Sequence, residues 1–552
     1  MLTATVRPLV LVLSVMALTA CQGVPGLGRA TATPAAPRPA EAARPPATTS
    51  PSPSPSPTPT PTRALPRPVG YEPRFEAGAC PFTPAGDQIA GSTLVCGMVH
   101  VPEDRSHPDG RTVQLAVAVF KAVGGTAGEA PLLWLNGGPG GATLSTVGPR
   151  LATYGLATRP LLLERDLVLI DQRGAGASRP SLQCRELTDR KYATLGARLT
   201  PAEDRAGYAR AALQCRDRLA TEGVRLDAYT SAVAAADVND IRIALGYDQV
   251  NLYGVSYGTR LALTVMRDYP AIVRGAVLDS AFPIQANLYV DVYDGAQRAF
   301  DRLFAACATE ARCSAQYPDL GGAFARTVAA LNQRPERVFL KNPYDGKEYE
   351  TIITGDRFAE AVFLMLYQRD FLPALPRLIA ATSQRRLALF SRLAAPVLFY
   401  DEVSLGLYYS VQCGEEVGFV TAAQVATARA AVRPELSAAL GGGAEDALFD
   451  NCGRWGVTPP AAQENEPVTS AIPTLILAGE FDPVTPPSYA HAIAAGLSRA
   501  TVVEFPGMSH GLLLADACPR TVALGFLRRP DKRPDAACAR ALPAPPWLTD
   551  GR

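Results

Sequence analysis

Histidine is scarce in this chain: 552 residues contain four, at positions 100, 107, 491 and 510. Chemistry that needs an imidazole base therefore has four candidates. Net charge is nearly absent, at +1 from 53 basic and 52 acidic residues, so there is no field to steer a polyanion and no nucleic-acid partner is expected. No Cys-x-x-Cys pair occurs among the 11 cysteines, which removes a common zinc-site spacing, and no metal or cofactor motif is found. The apolar stretch from Pro8 to Leu18 is too short to stay in a bilayer as a permanent helix.

That stretch has a different use. Arg7 supplies a positive start, and the run ends at Leu18-Thr19-Ala20-Cys21, which resembles a bacterial lipobox. Residues 1–21 are read as an export signal with Cys21 as the lipidated first residue, giving a membrane anchor at the cell envelope or surface; cleavage after Ala20 with secretion of the chain is the alternative. Residues 22–70 are rich in Ala, Pro, Ser and Thr and lack the apolar side chains to offset ordering entropy, so a disordered linker is expected. Extended, it reaches on the order of 100 Å at ~3.1 Å per residue. Without Cys21 ten cysteines remain, and an even number in an exported chain reads as disulfides. Spacing does not determine connectivity; pairing of neighbours is expected, as 80–96, 184–215, 307–313, 413–452 and 518–538.

The stretch from Asn251 to Thr259 organises the remainder. Val250 to Tyr253 reads as a strand, Gly254-Val-Ser-Tyr-Gly258 as a sharp turn, and Arg260 to Met266 as a helix. Strand, turn and helix together make a nucleophile elbow, with glycines where a side chain would collide with neighbouring strand and helix. Strands are also read at 93–101, 112–123, 131–135, 166–170, 275–278, 473–477 and 501–505, and helices at 201–222 and 230–246. Strands alternating with helices imply an α/β fold with a mostly parallel sheet of eight strands. The alternation stops after Pro283 and resumes near Pro473. The expected organisation is core at 71–283, an inserted, mainly helical cap at 284–465, and core again at 466–552.

A serine hydroxyl needs a base, and the base an orienting acid. His510 follows the last strand in the small-residue loop Gly507-Met-Ser-His-Gly511, whereas His100 and His107 lie early in the chain and His491 falls inside a helical stretch. The acid is expected in Gly479-Glu-Phe-Asp-Pro483, at Asp482, with Glu480 as the alternative. The order Ser256, Asp482, His510 is that of α/β-hydrolases. Oxyanion donors are expected from the Tyr257 N–H and from the Asn136–Gly141 loop, where Gly138 is chosen because Pro139 has no N–H. Asp171 and Arg173 are expected to shape the loop beneath the site through ion pairing.

The set NGGPGG, DQRGAGAS, GVSYGT, LDSAFP, GEFDPVTP and GMSHG resembles the secreted tripeptidyl aminopeptidases and the related proline iminopeptidases, over roughly residues 75–540. Asn136 departs from proline iminopeptidases, which usually carry histidine there. The resemblance implies a serine exopeptidase of α/β-hydrolase fold that acts on peptides with a free amino terminus and releases short peptides or single residues. No cofactor is expected, and the chain is expected to be a monomer, although the sequence does not determine oligomeric state. The resemblance also implies that Glu415 or Glu416, in Gln412-Cys-Gly-Glu-Glu416, receives the terminal ammonium, with Glu415 the better match. A carboxylesterase or lipase-like hydrolase would use the same triad.

Overall fold

A computed structural model describes residues 64–549 apart from 85–87, 125–128, 154–160, 162–163, 441–442 and 460. The export signal, Cys21 and nearly all of the 22–70 linker lie outside the described residues. Among the described residues no helix is long and apolar enough to cross a membrane.

One sheet carries the molecule. It runs in the order β1 (Arg74–Gly78), β2 (Leu94–Pro102), β3 (Thr112–Phe120), β5 (Leu167–Ile170), β4 (Leu132–Leu135), β6 (Val250–Val255), β7 (Val273–Asp279), β10 (Thr474–Gly479), β11 (Ala500–Phe505). The first four strands of that order pair antiparallel, and from β5 onward every pairing is parallel. The sheet thus has nine strands, not eight. The addition is β1, an edge strand whose sequence Arg-Phe-Glu-Ala-Gly is mostly exposed and so has no buried face to write an apolar alternation. The central parallel strands are buried on both faces, as in Leu132–Leu135 and Thr474–Gly479, which explains their continuous apolar runs.

Helices cover both faces. On one side lie α1 (Arg185–Ala193), α2 (Pro201–Thr221), α3 (Ser231–Ala244) and α4 (Tyr257–Asp268). The start of α2 is set by a capping box, in which Thr200 and Glu203 satisfy each other's backbone N–H, followed by Pro201. Residues between β7 and β10 form the expected mainly helical insertion, including α5 (Leu288–Thr309), α6 (Gly355–Leu366), α7 (Leu405–Glu415) and α8 (Gly443–Trp455). A hairpin, β8 (Glu336–Lys341) and β9 (Glu348–Ile353), sits among them. The insertion has its own apolar centre, where Phe300, Phe324, Phe358 and Phe390 pack ring to ring at 5.0, 5.9 and 5.7 Å. Phe481 and Val484, on either side of Asp482, belong to that same cluster. All five neighbour disulfides are formed: Cys80–Cys96, Cys184–Cys215, Cys307–Cys313, Cys413–Cys452 and Cys518–Cys538.

Candidate active site

β6 ends at Val255 and α4 begins at Tyr257, leaving Ser256 alone in the turn at φ 58° and ψ −129°. A non-glycine residue at such a φ is strained, and the surroundings must hold it there. Three contacts do so: the Ser256 N–H donates to the Asp279 carbonyl at 3.0 Å, and the Ser256 carbonyl accepts from the Thr259 N–H at 2.8 Å and its hydroxyl at 2.6 Å. The glycines are steric necessities. A Cβ at Gly254 would lie 2.4 Å from the Gly258 carbonyl oxygen, and one at Gly258 would lie 2.0 Å from that of Leu135.

His510 and Asp482 meet, with His510 Nδ1 2.8 Å from Asp482 Oδ2. Asp482 is fully buried and also accepts from the Val484 and Thr485 N–H groups and from the Thr485 hydroxyl, at 3.0, 2.8 and 2.6 Å. Burial alone would raise its pKa; the His510 charge and these donors hold it below the usual value. For His510, burial works downward, but the neighbouring Asp482 carboxylate outweighs it, helped by Asp279, and the imidazole pKa lies above its ordinary value. The alternative acid, Glu480, is turned elsewhere: it pairs with Arg302 and accepts from the Gly507 N–H at 2.8 Å. The other histidines sit with surface acids, His100 with Glu76, His107 with Asp104 and His491 with Glu504.

Asp279, at the end of β7, ties the two halves together. Its carbonyl holds Ser256, while its fully buried carboxylate accepts from the Leu512 and Leu513 N–H groups at 2.9 and 2.8 Å and from the Tyr253 hydroxyl at 2.7 Å. The next residue, Ser280, accepts the Gly511 N–H at 2.9 Å. The elbow and the His510 loop therefore hang on adjacent residues of one strand end. In the sequence Asp279 belongs to the LDSAFP segment without an evident role; the one visible signal is an acid closing the apolar run Ala276-Val-Leu278.

Gly137 abuts the serine, since a Cβ there would fall 2.8 Å from Ser256 Cβ. Neither the Gly138 nor the Tyr257 N–H has an acceptor among the described residues. The Tyr257 N–H is one of the unpaired donors at the start of α4, where the helix dipole is positive. Ser404 of the insertion braces this loop, donating its N–H to the Gly140 carbonyl at 2.9 Å and its hydroxyl to that of Gly174 at 2.8 Å. Asp171 does not pair with Arg173. It caps the backbone N–H groups of Thr143, Leu144 and Ala177, while Arg173 pairs with Asp237. Ion pairing thus accounts for Arg173, and backbone capping for Asp171, because a buried turn exposes N–H groups that a carboxylate can satisfy.

Glu415 ends α7, Glu416 follows it as the cap residue, and both are buried. Glu415 accepts from the Ser231 N–H and, at 2.7 Å, from its hydroxyl, which also meets the Tyr257 hydroxyl at 2.7 Å. Glu416 accepts from Arg260 at 3.0 Å and from the Leu288 N–H at 2.9 Å. Arg260 also lies 3.4 Å from Glu415, so one guanidinium faces two carboxylates. Burial raises the Glu415 carboxyl and pushes that of Glu416 up to about 7. The one group of potential metal ligands among the described residues is Cys184, Glu186 and Cys215. Its cysteines share a disulfide and Glu186 pairs with Arg218, so no thiolate is on offer.

Residues 130–517 match the α/β hydrolase fold family. Serine protease Hip1 of Mycobacterium tuberculosis is 26% identical over 465 residues, covering 78% of this chain and 84% of the relative. Tripeptidyl aminopeptidase of Streptomyces lividans is 30% identical over 228 residues, 38% of this chain and 40% of the relative. Carboxylesterase B of M. tuberculosis is 34% identical over 235 residues, 40% of this chain and 43% of the relative. The family match runs through the elbow, the insertion and the Asp482 and His510 loops alike, and the chain belongs to the α/β-hydrolase family.

Proposed function

We propose that this chain is an exported serine exopeptidase that removes short peptides or single residues from free amino termini. Ser256 Oγ attacks the scissile carbonyl carbon while His510 takes its proton. The Nδ1 side of the ring is held by Asp482, which leaves Nε2 for that transfer. The oxyanion is received by the Gly138 and Tyr257 N–H groups. Collapse breaks the C–N bond as His510 returns the proton to the leaving amine, and water then releases the acyl group by the same route.

The observation that carries the exopeptidase reading is the pair Glu415 and Glu416 against the single Arg260. Two buried carboxyls share one guanidinium, so one of them lacks a full cationic partner; a substrate ammonium would complement it and favour its ionised form. Ser231 links Glu415 to Tyr257, beside the nucleophile. The names of the Hip1 and tripeptidyl aminopeptidase relatives support peptide cleavage. Five disulfides accord with export to an oxidising compartment, where Cys21 would carry the lipid anchor. Carboxylester hydrolysis is the second reading, favoured by the carboxylesterase relative and served by the same triad. A panel of tripeptidyl and aminoacyl amides against fatty-acyl esters separates the two. Peptide amides should be turned over with the higher kcat/KM, and a preference for long acyl esters would replace the first reading with the second.

A further inference from the structure

A cavity of about 280 Å³ lies between α1, α2, α6 and the segment that leads into α7. None of Ser256, Asp482 and His510 borders it. Its wall carries charges of both signs: Lys191 from α1, Glu360 from α6 and Asp401 from the segment before α7. Neither the Lys191 ammonium nor the Glu360 carboxyl makes a side-chain hydrogen bond or a contact ion pair with another described residue, although Lys191 lies within electrostatic reach of Glu360 and Asp401. Glu360 is open to solvent inside the cavity although protein surrounds it, and burial raises its carboxyl pKa and lowers the Lys191 ammonium pKa. Opposite charges that face one cavity without touching leave hydrogen-bonding capacity unused, which a ligand bearing both an ammonium and a carboxylate would fill. Tyr208, Tyr400 and Tyr408 give the remaining wall an aromatic surface.

We infer that this cavity binds a small α-amino acid or dipeptide as its zwitterion. The ligand carboxylate meets Lys191, the ammonium meets Glu360 and Asp401, and the tyrosines cover the side chain. The volume suits a ligand of that size and is below the ~300 Å³ at which drug-sized pockets begin. The segment holding Asp401 also grips the candidate oxyanion loop, with the Ala142 N–H on the Glu402 carbonyl at 3.0 Å and the Ser404 N–H on the Gly140 carbonyl at 2.9 Å. Occupancy therefore bears on that loop through the 401–404 segment, from a cavity whose wall contains none of the three triad residues.

Calorimetric titration of the full chain with phenylalanine tests this, with Ser256 free and with Ser256 blocked by a fluorophosphonate. Phenylalanine should bind in both states, and N-acetylphenylalanine and phenylalaninamide should each bind about 10-fold or more weakly, because each lacks one charge-assisted contact. Lys191→Met should bring phenylalanine to the affinity of its amide, and Glu360→Gln to that of its acetyl form. The variants are compared only where their near-ultraviolet circular dichroism matches the parent, and either one suffices. No binding of phenylalanine or alanylphenylalanine, equal affinity for the three phenylalanine forms, unchanged affinity in the folded variants, or binding lost on blocking Ser256 would each overturn the inference. Turnover is not read, so failure here is distinct from failure of the peptidase reading.

Discussion

At the scale of single residues, the site combines local anchors, such as the Val484 and Thr485 N–H groups on Asp482, with backbone contacts from far away in sequence, such as those on Asp279. Ser256 and Asp482 were legible because their motifs are local: glycines flank one, and a strand-end loop presents the other. Asp279 was not, because its partners Leu512 and Leu513 lie more than 230 residues away, and spacing carries no trace of such a contact. The geometry separates Asp482 from Glu480 where sequence left both. Ser256→Ala and His510→Ala should therefore each lower kcat by ~10⁴-fold or more with the fold retained, since such groups act as a unit. Glu480→Gln should change kcat far less; a crippling effect there in a steady-state assay would contradict the assignment of the acid. The raised His510 pKa sets a pH limb. Only neutral imidazole can take a proton, so kcat/KM for a neutral ester should fall as pH drops through a value above the ordinary ~6.5. Asp482→Asn removes the carboxylate that raises it and leaves burial, so residual activity should show that limb at lower pH.

At the scale of elements, the central feature is the junction of β6 and α4, over which the insertion and the loop after β11 are fitted. The period of the apolar residues disclosed the buried parallel strands and the longer helices. It missed β1, which is mostly exposed and needs no apolar face, and the β8–β9 hairpin, whose short strands bury Leu340 and Ile353 in the insertion but also carry exposed charged residues. The bracing of the oxyanion loop by Ser404 was also invisible, being a backbone contact between segments over 200 residues apart. The elbow admits no side chain at its second glycine. Gly258→Ala would push a methyl group to 2.0 Å from the Leu135 carbonyl oxygen, so either β4 or α4 must move. Fluorophosphonate labelling of Ser256 should be lost in this variant and thermal unfolding should come earlier; normal labelling would mean that the junction is looser than its contacts indicate.

At the scale of the whole molecule, the proposal is a catalytic unit of core and insertion, carried on a Pro-rich tether from a lipidated Cys21. One acyl chain binds membranes only marginally, so anchoring rests on the several chains that bacterial lipoproteins receive. Cys21→Ala should move the protein from the membrane to the soluble fraction or leave it unprocessed, as read by fractionation and mass spectrometry. Native protein found entirely free, with no lipid on Cys21, would contradict the anchor. In the proposed function, recognition of peptides turns on Glu415, Glu416 and Arg260. Glu415→Gln should lower kcat/KM on free peptides by the equivalent of ~2–4 kcal/mol, because removing one partner of a buried charged contact strands the other. A small activated ester, which has no ammonium, should be hydrolysed almost as before. The most direct test needs no variant: the wild-type chain is given one peptide amide with its amino terminus free and again N-acetylated. The free peptide should be cleaved and the acetylated one should lose kcat/KM to the same degree as Glu415→Gln does on the free form. Equal cleavage of the two would contradict recognition of the amino terminus, and with it the exopeptidase account.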